Sequence, residues 1–229
     1  MRFGSALALA GLAAAPMLAV PATAQADVQA LPPCTLLVPA KIRVVTPNTA
    51  VTFREGADCK RAGVVSSSWR AYNPDNVKPF PPTARFEYGS TSMVHQWPDH
   101  YWGLWRFKPQ WAWDDDVNQV ATQNTPATWV KMGSWAQVTA TRVGSKVTLR
   151  TSSARYAHTS NKFVAWAGSV GQLQYKAPGT TTWKPLKSVK SSSLGKYAYT
   201  YTSAAARDYR VYFVDATLIW GGPSATVRK

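Results

Sequence analysis

Apolar and polar residues alternate at every second position along most of this chain, and a helical period of 3.6 is almost absent. The C-terminal half shows the alternation most cleanly. Val138 and Ala140 interleave with Thr139 and Thr141, and Val147 and Leu149 with Thr148 and Arg150. Leu173 and Tyr175 fall on one face, with Gln172, Gln174 and Lys176 on the other. Tyr197, Tyr199 and Tyr201 share a face, as do Tyr209, Val211 and Phe213. Turn residues separate these runs at Val143-Gly144-Ser145, Pro178-Gly179, Ser193-Leu194-Gly195 and Gly221-Gly222-Pro223. The pattern predicts strands near 135–142, 146–153, 170–177, 181–189, 196–202, 208–214 and 223–228. About seven strands in about 100 residues is the size of an immunoglobulin-like (Ig-like) sandwich. Tyr209 then stands where such sandwiches place a corner tyrosine whose hydroxyl ties back to the backbone.

The N-terminal half is less regular but is also read as strands: Leu36 to Val45, Thr49 to Arg54, Val64 to Tyr72, Ala84 to Tyr88, Met93 to Trp97, Tyr101 to Lys108 and Ala127 to Met132. Lys78-Pro79-Phe80-Pro81-Pro82 interrupts them. The expected fold class is therefore all-β: two tandem antiparallel β-sandwich (Ig-like) domains at residues 27–132 and 133–229. The junction at Met132-Gly133-Ser134 is short, so the tandem should be compact.

Composition adds a compartment. Arg2, an apolar alanine-rich run from Phe3 to Val20, and the small residues Ala24 and Ala26 read as a signal peptide over residues 1–26, cleaved after Ala26. Proline before Cys34 argues against a lipoprotein box, and beyond Ala26 no apolar run is long enough to span a membrane. In an exported chain the two cysteines, Cys34 and Cys59, are expected to form one disulfide.

Charge is shared unevenly. The whole chain carries a formal net charge of +15. Residues 27–132 hold 11 Lys and Arg against 9 Asp and Glu, whereas residues 133–229 hold 14 against 2, Asp208 and Asp215. A half that basic attracts polyanions such as anionic wall polymers, lipid head groups or nucleic acid, and no motif specifies nucleic acid. Simple solubility is the competing explanation.

The run from Gly144-Ser145-Lys146-Val147-Thr148-Leu149 through Val170-Gly171-Gln172-Leu173-Gln174-Tyr175, Thr182-Trp183-Lys184, Asp208-Tyr209-Arg210-Val211 and Trp220-Gly221 resembles a known type of repeat. It is similar to the Ig-like, carboxypeptidase-regulatory-like β-sandwich repeats of secreted Gram-positive bacterial proteins. The resemblance covers most of residues 135–229 and rests on core and turn residues. It implies export and an Ig-like fold, and it transfers no catalytic residue.

Candidate chemistry is sparse. His95, His100 and Asp99 flank one turn, where two histidines and a carboxylate could meet around a metal. Asp114-Asp115-Asp116-Val117-Asn118 opens like a calcium loop, but Gln119 and Thr125 occupy the glycine and glutamate positions of an EF-hand. A different calcium site built on Asp114, Asp116 and Asn118 stays open as the only cofactor reading. Glu55, Glu87, Asp99 and the aspartate triplet are carboxylates without a pairing motif, and no Gly-x-Ser-x-Gly nucleophile is present.

Aromatic residues carry the remaining signal. In a strand from Tyr101 to Lys108, Tyr101, Trp105 and Phe107 form the core face, and Trp102, Leu104, Arg106 and Lys108 the other. Pro109 is expected to end that strand, leaving Trp111 and Trp113 in a loop. Trp69, Trp105 and Trp129 are expected in the core. Trp97, Trp102, Trp111 and Trp113, with Arg106 and Lys108, form the candidate binding set. The leading expectation is a secreted, non-enzymatic binding or structural module that contacts wall glycans or anionic polymers. The alternatives are a hydrolase or enzyme inhibitor acting through the first domain, and a calcium-stabilised structural protein.

Overall fold

The computed structural model describes residues 30–73 and 82–229. The expected signal peptide, its cleavage point and most of the proline-rich break lie outside the described residues. Residues 31–229 form one compact unit.

Its first half opens with β1 (Pro33–Cys34), β2 (Leu36–Leu37), β3 (Lys41–Val44), β4 (Asn48–Glu55) and the short helix α1 (Ala57–Arg61). Then come β5 (Ser66–Tyr72), β6 (Thr83–Glu87), β7 (Ser92–Pro98), β8 (Gly103–Trp113), β9 (Thr122–Gln123) and β10 (Ala127–Met132). A five-stranded sheet in the order β3-β10-β8-β5-β6 packs against a three-stranded sheet, β2-β4-β7. Their inner faces meet edge-on: Phe53 of β4 contacts Phe107 of β8 at 5.2 Å, and Trp97 of β7 contacts Trp105 of β8 at 5.3 Å between ring centroids. Edge-to-face pairs of this kind add to the stabilisation that area burial already supplies.

The expected strand from Leu36 to Val45 is split. Pro39 lies between β2 and β3, and the two pieces join different sheets, β2 beside β4 and β3 beside β10. The β3–β10 pairing is parallel, so one edge of the larger sheet is closed by a segment far away in sequence. Helix α1 was not predicted; Asp58 in its first turn and Lys60 and Arg61 in its last suit the helix dipole. The Cys34–Cys59 disulfide is formed, with both residues fully buried, and ties β1 to this helix.

The second half contains β11 (Ser134–Val143), β12 (Lys146–Ala157), β13 (Lys162–Ala165), β14 (Val170–Lys176) and β15 (Lys184–Lys190). It ends with β16 (Lys196–Thr202), β17 (Asp208–Phe213), β18 (Gly222–Pro223) and β19 (Val227–Arg228). One sheet is built on β12, flanked by β11 on one side and by β16 and β13 on the other. The second runs β15-β14-β17, with β18 and β19 on the outer edge of β17. Val147, Leu149, Leu173, Val211 and Phe213 fill the space between the two sheets. The predicted strands agree closely here, except that β13 was missed and the last strand is two short pieces. Tyr209 is fully buried, but its hydroxyl bonds the Tyr201 hydroxyl at 2.7 Å and not the backbone.

The fold is therefore all-β, with a hydrophobic cluster in each half. The halves are closely joined. The Trp220 indole N–H donates to the Ile42 carbonyl at 2.8 Å, and the Trp220 backbone N–H donates to the Met132 carbonyl at 2.9 Å. The ammonium groups of Lys41 and Lys131 lie 4.4 and 4.5 Å from the Trp220 ring centroid. Gly133 has no room for a side chain, since a Cβ there would come within 2.4 Å of Val45 Cγ1.

Candidate binding face

The decisive local feature is a bulge in β8. Trp69 of β5 pairs with Pro109, while Ser68 pairs with Trp111, so Gln110 is an extra residue on β8. Proline donates no ladder hydrogen bond, and a bulge is where a strand tolerates that. The strand therefore continues through Trp113 instead of ending at Lys108. The extra residue also reverses the alternation. Trp105 and Phe107 point inward before the bulge and Ala112 after it, so Trp111 and Trp113 emerge on the outer face.

Cross-strand register collects the rest of that face. Arg106 lies opposite Tyr72, Lys108 opposite Arg70, and Ser68 opposite both Trp111 and Arg85. On the other side of β8, Leu104 lies opposite Trp129, which in turn faces Lys41, and Lys131 faces Arg43. The outer surface of the five-stranded sheet is thus a field of cations and aromatic rings. Lys108 Nζ sits 4.2 Å above the Tyr72 ring, Arg85 5.5 Å from Trp111, and Lys131 5.8 Å from Trp129. Among the described residues Glu87 is the one acid in this register, and it is ion-paired with Arg85.

Trp111 and Trp113 stack on each other, with centroids 5.0 Å apart and planes at 20°. Residues two apart on a strand have Cα atoms roughly 6.6 Å apart, so rings lying flat side by side would keep about that spacing. The closer, nearly parallel pair stands off the sheet with its inner faces covering one another. The Trp111 N–H is spent on Ser66 Oγ at 3.3 Å. This arrangement covers the face that each ring turns to the other, and Arg85 lies against Trp111.

Of the six candidate binding residues, the structure brings four together on this face: Arg106, Lys108, Trp111 and Trp113. Trp97 does not belong to it. Its side chain is 0% exposed, and its indole N–H donates to the Tyr101 carbonyl at 2.7 Å, so it is core. Trp102 lies elsewhere, half-buried, with its ring 4.8 Å from that of His158 in the second half. Trp129 corrects the opposite way. It was expected in the core, but Thr128, Val130 and Met132 take the inner positions of β10 and leave Trp129 46% exposed. Trp69 and Trp105 are core as expected. Sequence reading missed Arg70, Tyr72 and Lys131, which only the register joins to β8.

The aspartate turn is closed by its own first side chain. Asp114 Oδ1 accepts the backbone N–H groups of Asp116 at 3.0 Å and Asn118 at 2.9 Å, and Oδ2 accepts the Asn118 side-chain amide at 3.2 Å. These donors hold the Asp114 carboxyl below the usual carboxylate range. Val117 sits at φ +65° to complete the turn. Both Asp114 oxygens therefore already accept hydrogen bonds within the turn, which holds its shape without a cation. Millimolar calcium is accordingly expected to leave the melting temperature unchanged, whereas Asp114→Ala lowers it; a calcium-dependent rise that Asp114→Ala abolishes would reinstate the metal site.

The other candidate groups are dispersed. His100 approaches Asp99 at 3.5 Å, but His95 is packed between Phe53 and Trp97, where burial lowers its pKa. The Asp99 carboxylate accepts the Tyr156 hydroxyl at 3.0 Å, across the two halves. Burial first, and that hydrogen bond second, push the Tyr156 hydroxyl up to about 12. Glu55 accepts the Ser67 hydroxyl, and burial raises its pKa. Among the described residues, three ligand-bearing side chains gather only at Cys34, Glu55 and Cys59, where both sulfurs are in the disulfide.

No family model matches the sequence, and no curated protein does. Among solved structures the chain is similar to bovine butyrophilin, at 12% identity and a TM-score of 0.35, over 86% of this chain and 97% of that one. It is similar to the human OSCAR ligand-binding domain at 14% identity and a TM-score of 0.27, over 86% and 98%. It also matches Salmonella alpha-2-macroglobulin reacted with methylamine at 13% identity and a TM-score of 0.37, spanning 86% of this chain but 14% of that one. At these values the likeness goes no further than an all-β build, which the sheets already establish. No helix among the described residues is long and apolar enough to cross a membrane.

Proposed function

We propose that the chain is a secreted, non-enzymatic binding module that holds anionic polymers at the cell exterior. The single observation that carries this reading is the outer face of the five-stranded sheet, where Arg70, Arg106 and Lys108 project together without a neighbouring carboxylate among the described residues. The net charge of +15 adds long-range attraction. The N-terminal sequence and the resemblance to secreted Gram-positive repeats support export. Between the two ligand classes, the geometry favours the anionic polymer over a neutral glycan, because Trp111 and Trp113 each turn a face to the other and cations lie against Trp111 and Tyr72.

Retention on purified Gram-positive cell wall, measured at low and high salt, tests the reading. The protein is expected to bind at about 50 mM salt and to release at several hundred millimolar, since counterion release makes such binding steeply salt-dependent. Absence of retention at low salt would remove the proposal. Retention that ignores salt would shift it to an uncharged glycan.

A further inference from the structure

Net charge alone places the anion site in the second half, which carries most of the surplus. Register places it elsewhere. In the β-ladders of the second half every Lys and Arg lies opposite a neutral or acidic residue: Arg150 faces Thr139 and Ala198, Lys196 faces Ser152, Arg210 faces Gln174, and both Lys176 and Arg228 face Asp208. Among the described residues two cations face each other directly at only two places. These are Arg70 with Lys108, and Arg43 with Lys131. Both pairs lie on the outer face of the five-stranded sheet.

Like charges directly opposite across a ladder destabilise a sheet. Elsewhere on the same face the fold relieves such charge, with Glu87 beside Arg85 and Asp215 at 3.9 Å from Lys41. No carboxylate among the described residues plays that part for Arg70, Lys108, Arg106 or Arg43, and the Lys131 ammonium is held by the Ala216 carbonyl at 2.9 Å, a neutral acceptor that leaves its charge in place. The Tyr72 ring beneath Lys108 holds that ammonium in place without neutralising it.

The two pairs stand at opposite ends of the face. Counting along the β8 register, Lys108 and the level of Lys131 are six residues apart, which is roughly 20 Å at 3.3 Å per residue. Arg106 lies between them. A single small anion reaches one pair; an extended chain of anions reaches both. Arginine forks suit phosphate oxygens, which they bind two at a time.

We infer that the outer face of the five-stranded sheet, bounded by the Arg70–Lys108 and Arg43–Lys131 pairs, is the binding track for an extended phosphate-bearing polymer, recognised by charge and not by ring stacking. This inference rests on the proposed anionic-polymer function and assigns its site and ligand chemistry.

The test uses full-length protein and long-chain inorganic polyphosphate, with binding followed by titration at several salt concentrations. Arg70→Gln/Lys108→Gln is expected to weaken binding about tenfold or more. It should also reduce the slope of log K against log salt by about 1.4, the share of two contacts on a single chain. Arg43→Gln should weaken binding in the same direction. The control Lys146→Gln/Arg150→Gln removes equal charge from an exposed sheet face of the second half and should change affinity less than about threefold. Tripolyphosphate, too short to span both pairs, should compete poorly.

Relief of the repulsion gives an independent readout: ligand-free Arg70→Gln/Lys108→Gln should melt at a higher temperature than the wild type. Failure of the wild type to bind polyphosphate at low salt overturns the proposed function itself. Wild-type binding with equal losses in the face and control variants overturns only the placement. Displacement by a neutral chitin oligosaccharide at lower concentration than polyphosphate overturns recognition by charge. A lower melting temperature for the ligand-free double variant overturns the claim of standing repulsion.

Discussion

Trp220→Ala is expected to destabilise the protein by about 3–5 kcal/mol, the range for truncating a buried tryptophan. Trp220 is 7% exposed and sits between the two halves, with its indole N–H on the Ile42 carbonyl at 2.8 Å and two lysines over its ring. Its loss empties the space between β3 and the segment before β18, and leaves Ile42 without its donor and Lys41 and Lys131 without their ring. Trp220→Phe separates the contributions. It keeps much of the apolar volume and a ring for the lysines but removes the N–H, and should cost about 1–2 kcal/mol less than the alanine variant. Denaturant unfolding of the three proteins provides the comparison. A loss under about 1 kcal/mol for Trp220→Ala would show that the junction contributes little. The same variant should loosen Lys131 and so the far end of the basic face, tying the stability of the junction to polymer affinity.

The disulfide supplies the second large effect. Cys34 and Cys59 are separated by 25 residues, and closing a loop of that length stabilises by about 3 kcal/mol in the chain-entropy account. Cys34→Ala/Cys59→Ala should therefore lower stability by about that amount, and reduction of the wild type with a thiol should lower it comparably. The loss is local in origin. The bridge holds β1 against α1, where Thr35 Oγ1 also donates to Asp58 Oδ1 at 3.0 Å and the Gly56 N–H donates to the Thr35 carbonyl at 2.7 Å. Equal melting temperatures with and without reductant would show that these contacts suffice alone. Arg70, Arg106 and Lys108 lie on β5 and β8, outside the bridged loop, so polymer binding at low temperature should survive reduction.

Strand content was legible because alternation is a local property. The core residues of β16 and β17, and those of most of β12 and β14, repeat every second position, and the predicted limits of these strands fall within a few residues of the observed ones. Failures occurred where a non-local event decided the outcome. Pro109 read as a strand end because sequence shows only its missing donor; the compensating bulge depends on β5 lying alongside. That one extra residue decided the orientation of Trp111 and Trp113, so their shared exposure was inferred for a reason, loop placement, that the structure does not support. Trp97 and Trp129 were assigned to the wrong sides because the faces of β7 and β10 depend on which sheet each joins. The basic face itself was half visible. Arg106 and Lys108 stand out along β8, but Arg70 and Arg43 acquire significance only from cross-strand register.

The parallel pairing of β3 with β10 bears on the order in which the chain assembles. Leu36 waits for Asn124, 88 residues later, to exchange hydrogen bonds, and the Ile42 carbonyl receives its indole partner from a residue 178 positions downstream. Contacts so distant in sequence pay loop closure before they return stability, and domains dominated by them fold slowly, in milliseconds to seconds. A chain emerging from its N-terminus therefore leaves β3 without its ladder partner until β10 is available. Docking of β3 waits on β10, and the Ile42 carbonyl gains its indole donor only at the end, so a truncation before Trp220 should leave the β3–β10 ladder paired but less firmly held.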